Sequence, residues 1–221
     1  MEGIIVNLEN KDICRECGGE CCKKSGCDYV PKDFKSLNLS NILEILAVGN
    51  TSIVSTLSFS RLANNTLTCS PILYLRVRNT GRDVIDLFSF KTPCSMLKKD
   101  GCSYDFENRP TGGKSLLPLG NEMCYSTLDQ REFVKLWDSY QSTLRKVVKR
   151  ITGKTVDEKL REDIKQVLSD IKDENYKGIS KRELMDMQLT LPYIAEAFPK
   201  ETREILDNPQ FIRKRINHYF K

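Results

Sequence analysis

The stretch Cys14-Arg15-Glu16-Cys17-Gly18-Gly19-Glu20-Cys21-Cys22-Lys23-Lys24-Ser25-Gly26-Cys27 carries five thiols, and how those thiols are satisfied decides how the first half of the chain folds. A Cys-x-x-Cys turn lets two thiolates reach one ion, because two intervening residues let the chain fold back while backbone amides point at the sulfurs. Gly18 and Gly19 free the next turn to bring Cys21 or Cys22 to the same centre. Arg15, Lys23 and Lys24 offset thiolate charge.

One such run cannot easily supply a fourth ligand without crowding. A second group, Cys94-Ser95-Met96-Leu97-Lys98-Lys99-Asp100-Gly101-Cys102, holds two cysteines across an Asp-Gly turn, and Cys124 follows a loop that contains glycine and proline. Four thiolates from two such knuckles close a long loop and tie the first half together. The expected metal ligands are therefore Cys14, Cys17, Cys21, Cys22, Cys27, Cys94, Cys102 and Cys124, with Cys14, Cys17, Cys94 and Cys102 converging. A single tetrahedral ion is saturated by four thiolates, so this surplus favours an iron–sulfur cluster or several metals over one structural zinc. Spacing alone accommodates both metals. A redox dithiol of Cys14 and Cys17 is the competing reading, and it leaves the neighbouring cysteines unexplained. Cys69, isolated after Asn64-Asn65-Thr66-Leu67-Thr68, reads as a core residue.

All 9 cysteines of the 221-residue chain precede residue 125. Such clustering indicates metal binding in a reducing compartment rather than a disulfide framework, and an odd count cannot pair off completely. The first ten residues lack the features of a secretory signal, so the cytoplasm is expected, and sequons at Asn38, Asn50 and Asn64 read as chance. No apolar run approaches the roughly 20 residues that span a bilayer, so no membrane association is expected. The net charge of +5 is spread among interspersed acids and bases, which suits a solvated mixed surface and argues against a nucleic-acid partner.

The fold class is expected to be α-rich (α+β). Residues 1–125 form a loop-rich cysteine-cluster lobe and residues 126–221 a helical region packing on it, as one compact unit. In the lobe, Ser40 or Asn41 caps a short helix that Gly49 ends. A β-hairpin is predicted over 72–90, turning at Asn79-Thr80-Gly81-Arg82. In the second half, Thr127 with Gln130 opens a helix whose apolar face runs from Phe133 through Trp137, Tyr140, Leu144 and Val148 to Ile151, stopped by Gly153. Thr155 with Glu158 opens the next helix and Ser180 with Glu183 a third, which Pro192 ends or kinks near Thr190. Asn208 and Pro209 start a last one.

At its cysteines the chain resembles the YkgJ-type cysteine-cluster proteins, a family of zinc- or iron-chelating domains. The matching residues are Cys14, Cys17, Gly18, Cys21, Cys22, Cys94, Cys102, Arg109 and Pro110, so the likeness covers roughly residues 14 to 125. Two departures stand out. Three residues separate Cys17 from the cysteine pair, and the cysteine usually found just after Arg-Pro is replaced by Thr111-Gly112-Gly113, with Cys124 as the candidate substitute. More distantly the arrangement is similar to the flagellin lysine N-methylases, a likeness that implies a four-iron cluster and a methyl donor. This chain is much shorter and shows no glycine-rich nucleotide loop.

Elsewhere, His218 is the only histidine and lies far from every cysteine, which argues against hydrolases that need one. The functional expectation is a cysteine-ligated iron–sulfur protein that supports modification of a protein or peptide substrate. The alternatives are a structural zinc module for protein interaction and a lysine N-methylase-like transferase. If the protein is an enzyme, it is a metal-dependent transferase or oxidoreductase.

Overall fold

Two long strands with alternating and β-branched residues make the framework. The structure is a computed structural model that describes residues 11–16, 18–19, 22, 27–88, 93–99, 101–118, 124–172 and 181–203. Strand β1 (Thr51–Arg61) pairs antiparallel with β2 (Leu67–Val77), with Thr51 opposite Val77 and Arg61 opposite Leu67. The turn between them closes through Leu62 N–H to the Thr66 carbonyl (3.0 Å) and Asn65 N–H to the Leu62 carbonyl (2.9 Å). Asn65 has φ 66°, a left-handed conformation that asparagine tolerates better than most residues. A short β3 (Ile85–Asp86) pairs parallel with β1 on its other side, giving the order β2-β1-β3.

The hairpin expected over 72–90 is thus corrected. Its first strand and its turn exist, with Gly81 at φ 77°, but β2 takes β1 as its partner and the turn leads elsewhere. Arg78 N–H bonds the Asn50 carbonyl (2.8 Å) and Ile53 N–H bonds the Val84 carbonyl (2.8 Å), so the chain passes around the start of β1 to its far edge. The outer edge of β2 was not open to receive it. Tyr29 N–H bonds the Leu75 carbonyl (3.0 Å) and Val77 N–H bonds the Cys27 carbonyl (2.9 Å), laying residues 27–29 along that edge.

Helix α1 spans Lys11–Glu16 and α2 Leu39–Ala47. The cap of α2 is Asn38, whose side chain accepts from Asn41 N–H at 3.0 Å, rather than Ser40 or Asn41. Gly49 ends it at φ 87°. Strands β4 (Leu97–Lys98) and β5 (Gly101–Cys102) form a tiny hairpin, helix α3 is Thr111–Lys114, and β6 (Leu116–Pro118) pairs with β7 (Cys124–Ser126).

The helices of the second half are α4 (Gln130–Leu136), α5 (Gln141–Thr152), α6 (Val156–Lys172), α7 (Lys181–Ala197) and α8 (Pro199–Arg203). Asp129, not Thr127, caps α4, accepting from Arg131 N–H (2.8 Å) and Glu132 N–H (2.9 Å). The Thr127 hydroxyl instead donates to the Ser115 carbonyl (3.1 Å). The single helix expected from Phe133 to Ile151 is interrupted by a 3-10 turn at Asp138–Tyr140. That break lets two groups reach the β2 side together. Trp137 Nε1 donates to the Tyr29 carbonyl (3.2 Å), and the Gln141 amide accepts from Leu73 N–H (2.9 Å) while donating to the Leu73 carbonyl (2.8 Å). The edge-facing N–H and carbonyl of Leu73 are thereby both satisfied by one side chain. Gly153 ends α5 at φ 70°, and the capping box of Thr155 and Glu158 opens α6 as expected, with Thr155 N–H to Glu158 Oε2 at 2.7 Å.

Helix α7 continues through Pro192 to Ala197 instead of stopping near Thr190. Leu191, Ile194 and Phe198 are buried, and this packing offsets the hydrogen bond that proline cannot donate. Ser180, Asn208, Pro209 and His218 lie outside the described residues. One hydrophobic core joins Ile42, Ile53, Leu73, Leu75 and Ile85 to Phe133, Trp137, Leu144, Leu160 and Ile164. The fold is α+β, with a small sheet and a helical second half. Among the described residues, no helix is long and apolar enough to cross a membrane.

Candidate metal centre

Helix α1 carries Cys14 and lies against β5, which carries Cys102. After α1, Gly18 and Gly19 take φ 64° and 72°, a double left-handed turn that residues with a Cβ disfavour. A Cβ on Gly19 would also sit 2.6 Å from Leu97 Cδ1, so the first cysteine group is pressed directly onto the second. Cys22 follows, its N–H on the Gly19 carbonyl (2.8 Å) and its own carbonyl accepting from Cys94 N–H (2.7 Å). Cys94 is held on its other side as well, through Thr80 N–H to the Pro93 carbonyl (2.7 Å) and Ser95 N–H to the Arg78 carbonyl (2.9 Å).

These pairings gather Cys22, Cys27, Cys94 and Val77 into one buried cluster, with Tyr29, Met96, Leu97 and Tyr104 packed around it. Met96 N–H donates to Cys94 Sγ at 3.4 Å. An amide aimed at a sulfur two residues back is the arrangement that favours a thiolate in a metal knuckle.

The segment after Arg109-Pro110 closes over Cys27. Thr111 donates both its N–H and its hydroxyl to the Asp33 carboxylate (3.0 and 2.6 Å). Gly112 N–H bonds the Asp28 carbonyl (2.9 Å). A Cβ on Gly112 would lie 2.5 Å from that oxygen, and a Cβ on Gly113 would lie 2.7 Å from Cys27 Sγ. Only glycine allows the two chain segments to come this close.

Beside the cluster sits a charged pair. Arg76 Nε donates to Asp28 Oδ1 at 2.5 Å and Arg76 Nη2 to the Tyr74 hydroxyl at 2.9 Å. Burial works against the charge on Arg76, but Asp28 and Tyr74 outweigh it and hold its pKa above the ordinary value. The Tyr74 hydroxyl is pushed up to about 12, chiefly by burial. Burial likewise raises the Tyr29 hydroxyl, against an opposing hydrogen bond with Thr51. The charged pair is therefore held in a desolvated setting along the edge of β2, adjacent in the chain to Cys27 and Val77.

Of the expected ligands, Cys22, Cys27 and Cys94 come together, and Cys102 is half-buried opposite Leu97 at the cluster's margin. Cys17 and Cys21 lie outside the described residues, as do the side chains of Cys14 and Cys124. Among the described residues, no three His, Cys, Asp or Glu side chains are gathered closely enough to hold an ion by themselves. Cys69, on β2, packs against the main core, and burial raises its thiol to about 11, with Asp157 adding to the effect. The structure adds Gly19, Gly112, Gly113, Asp28 and Arg76 to the site. Paired glycines beside cysteines and after Arg-Pro were the available signal for the first three, whereas the Asp28 and Arg76 pairing depends on a register that local sequence does not specify. Comparison of the chain with models of known protein families, with characterised proteins and with solved structures found no match.

Proposed function

We propose that this protein binds metal through thiolates of its first half, as an iron–sulfur protein acting in the cytoplasm. The observation that carries the reading is the meeting of Cys22 and Cys27 with Cys94 in one buried cluster, although Cys94 lies far along the chain. Isolated buried cysteines behave as small hydrophobes. Two sequence-distant cysteine groups packed on each other, with Met96 N–H on Cys94 Sγ, fit the donor set of a metal centre better. Cys22, Cys27 and Cys94 would hold the group, with Cys14, Cys17, Cys21, Cys102 and Cys124 as the remaining candidates. An iron–sulfur cluster would supply electron transfer or a Lewis-acidic iron, and the burial of Cys22, Cys27 and Cys94 would tune its potential. The resemblance to the YkgJ-type proteins supports the same reading, and that to the flagellin methylases supports a protein or peptide as substrate.

Anaerobic purification with iron and sulfide should yield brown protein, and Cys94→Ala should abolish the colour. A colourless protein with one zinc per chain would establish the structural zinc alternative. A chain that retains no metal under either condition would defeat both.

A docking role for the helical half has its own support. A groove of about 370 Å³ between α5 and the start of α6 is lined by Ser142, Arg145, Lys146, Lys149, Thr155 and Val156, and α5 contains no acidic residue. It suits an acidic segment of a protein partner. Binding of an acidic test peptide that Lys146→Glu with Lys149→Glu leaves unchanged would rule this out.

A further inference from the structure

We infer that this protein is a homodimer in which the outer edge of β1, from Leu57 to Arg61, pairs antiparallel with the same edge of a second copy. Strand β1 keeps an unbroken register against β2 from Thr51 to Arg61, whereas β3 covers its other side only at Ile53 and Val54. The Ser55 hydroxyl donates to the Leu87 carbonyl (2.6 Å), and there the cover ends. Ile53 N–H turns toward β3, bonding the Val84 carbonyl (2.8 Å), and backbone direction repeats at every second residue. Leu57, Phe59 and Arg61 therefore turn their N–H and carbonyl groups to the open side. Pro71, opposite Leu57, lacks an N–H and so suits a pair whose backbone groups point away from each other. Among the described residues, these outward groups meet no partner.

Edges of this kind are ordinarily blunted by a charge, a proline or a bulge. Leu57-Ser58-Phe59-Ser60 carries none of these, and the one charge, Arg61, is neutralised by a bidentate pair with Glu196 on α7 (2.5 and 2.9 Å). A second copy fits this edge on both faces. With a two-fold axis at Phe59, Leu57 comes opposite the partner's Arg61 and Phe59 opposite the partner's Phe59, each pair exchanging two backbone hydrogen bonds. On one face the Phe59 ring lies 5.7 Å from that of Tyr193. Tyr193 is 51% exposed, and Leu189, one turn earlier on α7, is 74% exposed, so the axis sets an apolar strip beside its own copy. On the other face Ser58 comes opposite the partner's Ser60. Ser60 and Thr68 already show this pairing within one chain, their hydroxyls 3.1 Å apart, and the hydroxyl row continues across the axis. The two Arg61 groups fall at opposite ends of the paired segment, each held by its own Glu196, and no like charges meet. The pairing requires no metal.

Sedimentation of the full-length chain at concentrations up to about 100 μM, where micromolar association is read directly, should give twice the chain's 25.4 kDa. Two double variants test the register, both at exposed positions. Ser58→Lys with Ser60→Lys sets like charges opposite each other across the axis and should raise the dimer dissociation constant about tenfold or more, an effect that shrinks at high salt. Ser58→Lys with Ser60→Glu sets opposite charges at the same places and should keep the dimer. Circular dichroism spectra of both should match that of the wild type, and if the Lys-Lys chain fails to fold, the Lys-Glu chain still reads the register, its dimer loosening as salt is raised. A wild-type chain that sediments at 25.4 kDa at every concentration would overturn the assignment. So would a dimer that both variants weaken equally, or one that neither variant affects.

Discussion

Gln141 serves β2 as a neighbouring strand would, offering one acceptor and one donor to the two backbone groups of Leu73. Its amide also donates to the Trp137 carbonyl (3.1 Å). Replacing it with leucine would leave Leu73 N–H and C=O unsatisfied near a buried core, and each such group costs about 1–3 kcal/mol. Gln141→Leu should therefore lower unfolding stability by at least about 2 kcal/mol in urea titrations, and Gln141→Glu, which keeps the acceptor, by less. Equal losses for the two would mean that the donor carries everything. Nothing local in the sequence marks Gln141 for this task. The glycines at 112 and 113 show the same limit, since a glycine pair announces a close approach and not what is approached.

Capping chemistry made several element boundaries legible. Thr155 with Glu158 opens α6 and Gly153 closes α5 as read from the chain alone, because each motif is satisfied within a few residues. Local sequence misplaces the cap of α4 because Thr127 and Asp129 both fit, and only the demand of the Ser115 carbonyl on the Thr127 hydroxyl decides between them. Backbone N–H groups of Glu132 and Arg131 hold the Asp129 carboxyl below its ordinary value of 3.8. A carboxyl whose pKa is depressed by folding stabilises the fold above 3.8 and loses that contribution as pH falls through the lower folded value. Asp129→Ala should accordingly lower the melting temperature at neutral pH, with the difference shrinking well below 3.8. A difference constant across that range would show that the carboxylate charge plays no part. For the strands, Asn79-Thr80-Gly81-Arg82 has stronger turn chemistry than Leu62-Ala63-Asn64-Asn65-Thr66, so local sequence places the hairpin one strand too late. The alternation of Leu57-Ser58-Phe59-Ser60 was the signal for β1. Which edge of β2 stays open was decided by residues 27–29, far away in sequence.

At the scale of the molecule, the α+β class was readable because helical periodicity persists through the second half and cysteines crowd the first. Both halves share one core, and what periodicity could not convey is which residues of the first half the helices cover. Phe133 and Trp137 are wholly buried among residues that include Tyr74, whose ring lies 5.0 Å from that of Phe133 in an edge-on contact. Removing everything after Ser126 would expose Leu73, Tyr74 and Leu75 at once. Such a fragment should give a circular dichroism spectrum of an unfolded chain and no cooperative melt, with or without metal. A cooperative transition in the fragment would show that the cysteine lobe folds independently.

The single tryptophan of the chain, Trp137, is fully buried and bonds the carbonyl of Tyr29, two residues beyond Cys27. The protein thus contains its own optical probe. An iron–sulfur chromophore absorbs where indole emits, so cluster loading should quench the intrinsic fluorescence by energy transfer, and loss of the cluster in air should restore it on the same time course as bleaching. Zinc, which is spectroscopically silent, should leave the emission nearly unchanged, so one cuvette distinguishes the two metals in a protein whose cysteine spacing accommodates both.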